Sequence, residues 1–374
     1  MKLKNIPFLE LPPTADFHCH LRQDAMMEFI TPLVKEGGCD TIFVMPNLQP
    51  PITKVADALA YHEKLSRLAP GVKFLMSLYL HPELTPATID EAARTKVIHG
   101  IKLYPAGVTT NSQDGVLDIE QYYPIFEEME ANDMVLNLHG EMMSSPPAEF
   151  AKADGTEAIT VLNAEPKFLP HLYKLHAAFP KLRIVLEHVS TREGLEAVRL
   201  CGRTVVGTIT AHHLWMTVDD WGCGDAFNFC KPVAKTPEDR VALVRAVIEG
   251  SGKFFFGSDS APHPIQSKKG PGNAAAGCFT QPWCTALVIG ALEEGIKQGW
   301  IKEEDIRQAS IEGFLSRYGR EFYRLEGTTE QEGPMIRLER KGEKIPPVVR
   351  SKDGSIEVVP FGRGKEVMSL SWIW

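Results

Sequence analysis

The stretch ADFHCHLR, residues 15–22, starts as a buried strand and carries two histidines, His18 and His20, one residue apart. Successive side chains on a strand face opposite sides. Both imidazoles therefore point one way, while Cys19 points the other and serves as a core thiol. Two imidazoles on one face offer a pair of nitrogen ligands to a divalent ion such as zinc. Taken alone, the tripeptide suits ordinary polar residues equally well. Its meaning is settled by the rest of the chain, where similar runs recur and end in residues of the same kind.

Runs rich in Val, Ile, Phe and Leu lie at 15–20, 41–46, 73–80, 97–104, 134–139, 183–188, 204–210 and 253–259. Segments of helical character, among them 56–68, 119–131, 192–200 and 237–249, separate them. Strands alternating with helices in this way predict an α/β fold, a (β/α)8 TIM barrel, and 374 residues accommodate it as one unit. The rhythm stops near residue 325, so residues 1–325 are assigned to the barrel and 326–374 to a C-terminal extension packed on it. Within the extension, IRLER, IEVVPF and Trp372-Ile373-Trp374 suggest short strands; covering the barrel and mediating a dimer both remain open.

In such a barrel the carboxyl ends of the strands converge on one mouth, where the chemistry is done. His18 and His20 close the first run, Lys102 the fourth, His139 the fifth, His188 the sixth and Asp259 the eighth. A lone histidine at the end of MVLNLH or RIVLEH would more often be a hydrogen-bonded core residue; two at matching strand ends beside His18 and His20 point to a metal. Asp259 follows KFFFGS, and an ionised carboxylate in such apolar surroundings is costly unless paired or bound to a metal. Lys102 does not fit as it stands. An ammonium has no lone pair and repels cations, whereas a lysine carboxylated by carbon dioxide is an anion with an oxygen for each of two metals.

Taken in order, FHCHLR, VMPNL, GIKLYPAGVTTNS, NLHGE, EHVST, AHHL, GSDSAPH and AGCF resemble the compact class II dihydroorotases of bacteria and fungi, within the amidohydrolase superfamily. The resemblance covers roughly residues 12–325. It implies two Zn2+ ions bridged by carboxylated Lys102 and hydroxide: one held by His18, His20, Lys102 and Asp259, the other by Lys102, His139 and His188. It also implies reversible hydrolysis of L-dihydroorotate to N-carbamoyl-L-aspartate, the third step of pyrimidine biosynthesis, by a cytoplasmic homodimer. Asp259 is the implied general base, or the acid in ring closure. A site for this substrate needs a cation shaped for its carboxylate. Arg22 shares the parity of His20 and offers a bidentate guanidinium, Asn47 an amide and His263 a further donor. By resemblance these three bind the carboxylate, with the backbones of Ala276 and Lys231 contacting the ring or the carboxylate. Alone, Arg22 also admits the reading of a structural ion pair.

TTNSQDG, beginning at Thr109 and Thr110, reads as a surface loop on its own; the resemblance makes it a lid whose threonines touch substrate. His212 and His213 are assigned no ligand role, and KKGPGNAAAG, from residue 268, is expected to be a mobile loop at the mouth. His62, His81, His99, His171 and His176 lie away from the strand ends and are given no chemistry.

Composition narrows the alternatives. With 44% hydrophobic and 24% charged residues the chain is of soluble globular type, and a net charge of −8 argues against nucleic acid or anionic membrane as partner. No apolar run is long enough to span a membrane, and the proline-broken start makes a poor signal peptide. Seven scattered cysteines without a CxxC read as reduced thiols. Two rival functions stay in view: a hydantoinase or allantoinase, whose neutral ring needs no carboxylate clamp, and a non-catalytic scaffold, which would have shed its ligands.

Overall fold

The computed structural model describes residues 1–146, 157–269, 274–325 and 333–373. Part of the 268–277 loop and Trp374 thus lie outside the described residues. A short strand, β1 (Phe8–Leu11), precedes the barrel. The barrel strands are β2 (Thr14–Cys19), β3 (Cys39–Val44), β4 (Lys73–Tyr79), β5 (Ile98–Leu103), β6 (Val135–His139), β7 (Arg183–Glu187), β8 (Val205–Ile209) and β9 (Phe254–Phe256). They pair in chain order, all parallel, as one eight-stranded sheet. Closure runs through the segment after β9: Asp259 N–H donates to His18 O at 2.8 Å and His20 N–H to Ser260 O at 3.0 Å. The expected barrel is therefore present, with the eighth strand shorter than its apolar run because Gly257-Ser258-Asp259 leaves the ladder.

The helices fall between strands as their amphipathic patterns predict, including Val55–Leu68, Arg192–Leu200 and Pro237–Ile248. Threonines cap the last two: Thr191 Oγ1 accepts from Gly194 N–H, and Thr236 forms a capping box with Asp239. Apolar side chains between helices and sheet form the large outer core, which Cys19 joins. The inside of the barrel has its own cluster, made by Ala15, Phe17, Phe43, Leu75, Val135, Val185, Val206 and Phe255. Tyr323 and Leu325 belong to it as well, so the chain leaving the last helical segment, Tyr318–Phe322, plugs the amino-terminal end. That fit is tight. Gly319 packs on Phe17 so closely that a Cβ there would sit 2.2 Å from the ring.

Four strands follow: β10 (Met335–Lys344), β11 (Val349–Arg350), β12 (Glu357–Val358) and β13 (Glu366–Ile373). β10 is the centre of a three-stranded antiparallel sheet with β1 and β13, so residues from both sides of the barrel sequence build it. Ile336, Leu338 and Met368 enter the outer core, and Trp372 Nε1 donates to Lys35 O at 2.9 Å.

Candidate active site

Strand alternation alone would face Ala15 and Phe17 inward and His18 outward. The β2–β3 pairing shifts register between Asp16 and Cys19, which brings His18 inward directly after Phe17. His20 then follows, while Cys19 turns outward toward Gln281 Oε1 at 3.6 Å. Asp16, buried behind the strand, accepts from Ser258 N–H at 2.7 Å, Ser258 Oγ at 2.5 Å and His18 N–H at 3.1 Å. These bonds fasten the first strand to the bend that carries Asp259. Three other site residues have left-handed backbone: Arg22 at φ 59°, His188 at φ 40° and Asp259 at φ 46°. The turn at His188 lets it face the interior immediately after Glu187, which already does.

His18, His20 and Asp259 form a buried group whose candidate ligand atoms lie within 4.8 Å of one another. Asp259 Oδ1 is 3.0 Å from His20 Nε2 and 3.4 Å from His18 Nε2. The His188 ring centre lies 5.0 Å from that of His18 and 4.6 Å from that of His139. Lys102, on β5, is fully buried, and its Nζ has no hydrogen-bond partner among the described residues. All six strand-end residues therefore meet at one mouth.

Burial sets the charges. It pushes His18 and His188 well below the usual imidazole range, helped by Lys102 near His18 and by His139 near His188, and it lowers His20 and His139 as well. Neutral imidazoles have the lone pair a metal needs. Burial raises Asp259, but the hydrogen bond from His20 and the nearby His18 outweigh it, leaving the carboxyl below its ordinary value. Desolvation brings Lys102 down to about 8 against the pull of Glu187 and Asp259.

Reading the residue that closes each run picked out His188 and missed its neighbour. Glu187 Oε2 sits 2.9 Å from His18 Nδ1 and accepts from Thr208 Oγ1 at 2.6 Å; Oε1 accepts from Asn137 Nδ2 at 2.6 Å. Glu141 does the same for His139, at 3.2 Å from Nε2, and is itself paired with Lys235 at 3.0 Å. Burial pushes Glu141 up, yet Lys235 and His139 bring it to about 2. Tyr104 lines the site too, its ring centre 5.0 Å from Lys102 Nζ. The one available signal was that Glu187 and Glu141 lie within two residues of strand-end histidines.

Around the mouth, Arg22 Nε donates to Pro262 O at 2.8 Å and Nη2 approaches His263 Nε2 at 3.0 Å, with Ala276 O 2.9 Å from the same nitrogen. Asn47 accepts at Oδ1 from His20 Nδ1 at 2.8 Å and donates from Nδ2 to Thr110 O at 3.0 Å. Asn111 Nδ2 donates back to Asn47 O at 2.9 Å, and Thr109 N–H to Ser112 Oγ at 2.9 Å. The threonine loop is thus latched over the site. Arg22, Asn47, Thr109, Thr110, Lys231 and Ala276 line the enclosed space with the metal-type residues, and His263 abuts it through Arg22. The space measures about 20 Å³, too small for a six-membered ring, so entry requires the lining to move.

His212, His213 and Cys230 form the other metal-type group among the described residues. His213 Nε2 and Cys230 Sγ both lie 3.0 Å from Pro232 O, as donors to a carbonyl, so these two are satisfied without an ion. No helix among the described residues is long and apolar enough to cross a membrane.

Residues 16–266 match the amidohydrolase family. A dihydroorotase of Mycosarcoma maydis is 56% identical over 260 residues, 70% of this chain and 63% of that one. A dihydroorotase of Saccharomyces cerevisiae is 41% identical over 374 residues, with 97% of each chain covered. The crystal structure of dihydroorotase from Saccharomyces cerevisiae in complex with 5-fluoroorotic acid gives a TM-score of 0.88 at 40% identity, covering 99% of both chains.

Proposed function

The chain belongs to the dihydroorotase family of the amidohydrolases, and on that premise we propose that it interconverts L-dihydroorotate and N-carbamoyl-L-aspartate in pyrimidine biosynthesis. The observation that carries this reading is a cluster of neutral imidazoles and one carboxylate around a buried lysine that has no hydrogen-bond partner among the described residues, roofed by an arginine and a histidine.

Family membership implies a metal cofactor, and the residues fit one. Lys102 Nζ supplies the test, because a buried ammonium with no partner is costly. Adding carbon dioxide to the neutral amine forms an N–C bond, releases one proton and turns the misfit into an anion facing His18, His139 and His188. We assign two zinc ions to this centre, one with His18, His20 and Asp259 and one with His139 and His188, carboxylated Lys102 shared between them. Bound there, such ions lower the pKa of water toward neutrality and polarise a carbonyl oxygen.

The chain's own groups do the rest. Asp259 accepts the proton of the attacking water and delivers it to the ring nitrogen as the C–N bond breaks; in ring closure it begins protonated and acts as the acid. Arg22, Asn47 and His263 hold the substrate carboxylate. Arg22 only donates, so His263 Nε2 accepts from it, which sets that nitrogen's lone pair against Ala276 O at 2.9 Å. An anionic oxygen accepting from both Arg22 and a protonated Nε2 relieves this conflict. The backbones of Lys231 and Ala276 flank the ring, and Thr109 and Thr110 close over it as a lid excluding water. A hydantoinase has no use for the guanidinium. We further propose a cytoplasmic location, in line with seven unbridged cysteines, and a homodimer, on the family resemblance.

The test is ring closure. Zinc-loaded protein given N-carbamoyl-L-aspartate at mildly acid pH should form dihydroorotate, and Lys102→Ala should lose both metal and activity. A protein that keeps its metal but forms no product would contradict the proposal.

A further inference from the structure

At the amino-terminal end of the barrel, opposite the active site, lies a cavity of about 480 Å³. Its charged lining among the described residues is Lys73, Lys96, Arg183 and Arg324 against the single carboxylate of Asp133. That carboxylate is already taken: Arg183 Nε lies 2.9 Å from Oδ1, and Arg324 Nη1 pairs with Oδ2. Arg183 is locked further by the carbonyls of Phe322 and Asp133. Lys73 and Lys96 have no ion pair among the described residues, and both line the concavity. The same field, with burial ahead of it, holds neighbouring His99 down at about 4. A concave cluster of cations with spare charge is a receptor for a compact anion of more than one charge. The volume exceeds what free phosphate needs and leaves room for an attached organic group against Met134 and Tyr323.

The floor of this cavity is connected to the catalytic mouth. Tyr323 lines the cavity, stacks on Phe17 inside the barrel with ring centres 4.9 Å apart, and its hydroxyl meets Asn137 Nδ2 at 2.6 Å. Asn137 Nδ2 also donates to Glu187 Oε1 at 2.6 Å, and Glu187 Oε2 faces His18 Nδ1 at 2.9 Å. Four side chains thus span the barrel axis from the cationic cavity to a strand-end histidine.

We propose that this cavity is a regulatory site for a small phosphate-bearing molecule, a phosphomonoester rather than a macromolecule, whose occupancy reaches His18 through Tyr323, Asn137 and Glu187. Regulation presupposes the catalytic reading above, whereas binding does not, and the two are measured separately. Uridine 5′-monophosphate, inorganic phosphate and uridine are each titrated calorimetrically into the zinc-loaded full chain at constant ionic strength. The nucleotide should bind with Kd below about 1 mM, with uridine silent. Inorganic phosphate binding as tightly would make the phosphate itself the ligand, and weaker binding an ester.

Lys73→Ala combined with Lys96→Ala should weaken nucleotide binding at least about tenfold while basal turnover stays unchanged. Tyr323→Phe, which keeps the ring, should retain binding. Saturating nucleotide should change kcat/KM at least about threefold in the unmutated protein and not in Tyr323→Phe. No saturable binding, equal binding of uridine, or undiminished binding by the lysine double variant would overturn the site. Binding without any change in kcat/KM of a demonstrably active enzyme would overturn its regulatory role alone.

Discussion

Replacing Glu187 by glutamine tests whether the carboxylate beneath His18 holds that ring for a metal. The change keeps volume and removes one buried charge. Glu187 takes three hydrogen-bond contacts: His18 Nδ1 at 2.9 Å and Thr208 Oγ1 at 2.6 Å on one oxygen, Asn137 Nδ2 at 2.6 Å on the other. An amide has one oxygen. If it faces Asn137, the NH2 group confronts His18 Nδ1 and drives the ring proton onto Nε2, the nitrogen that points at Asp259 and must be bare to bind an ion. If it faces His18, the NH2 group opposes Asn137 and the charge on the retained bond is gone. Either way a charge-assisted bond worth about 1.5–3 kcal/mol is lost, a factor of about 10–100 in zinc affinity. Competition with a chromophoric chelator reads that affinity directly, with kcat/KM at saturating zinc beside it and a melting curve of the metal-free protein to show that it folds. Zinc affinity within twofold of the parent in a folded variant would refute the argument.

Other perturbations follow from the same geometry. Arg22→Gln should raise KM for dihydroorotate about 100-fold or more, as loss of a charged pair inside a site does, with zinc content unchanged by elemental analysis. Thr109→Ala with Thr110→Val should lower turnover at least about tenfold and leave bound metal intact; normal turnover would end the lid role. Ring opening releases a proton because a carboxylate appears, so above the new acid's pKa of about 4 the equilibrium ratio of open to closed form should rise about tenfold per pH unit. Synthesis is thus favoured at low pH, and a ratio constant across a pH series would contradict it. Gly319→Ala forces a methyl to within 2.2 Å of the Phe17 ring and should destabilise the plug by about 1–3 kcal/mol, seen as a lower Tm.

Much of the barrel and its mouth was legible because the chemistry sits at strand ends. The runs that close with His18, His139, His188 and Asp259 are apolar enough to mark strands, and the polar residue ending each marks the mouth. Less legible were features that depend on backbone departures. In RIVLEH, alternation allows either Glu187 or His188 inside; only the left-handed turn at His188 admits both. A register shift likewise brings His18 inward, on a strand whose parity is less simple than the alternation read from the sequence. Tyr323 directly follows a helix, and nothing in the local sequence indicates that it fills the barrel floor. Phe8–Leu11 follows Pro7 and is too short to stand out; it becomes a strand only because β10, far along the chain, supplies the partner.

A metal-supporting cluster and a carboxylate clamp together select one ring. Following ultraviolet absorbance while zinc-loaded protein meets L-dihydroorotate, and in parallel dihydrouracil, tests both halves, since the second ring differs only in lacking the carboxylate. Rapid loss of dihydroorotate and none of dihydrouracil is the expected outcome. Comparable turnover of both rings would remove the clamp and leave a broader cyclic amidase, and no change in either ring with metal bound would contradict catalysis altogether.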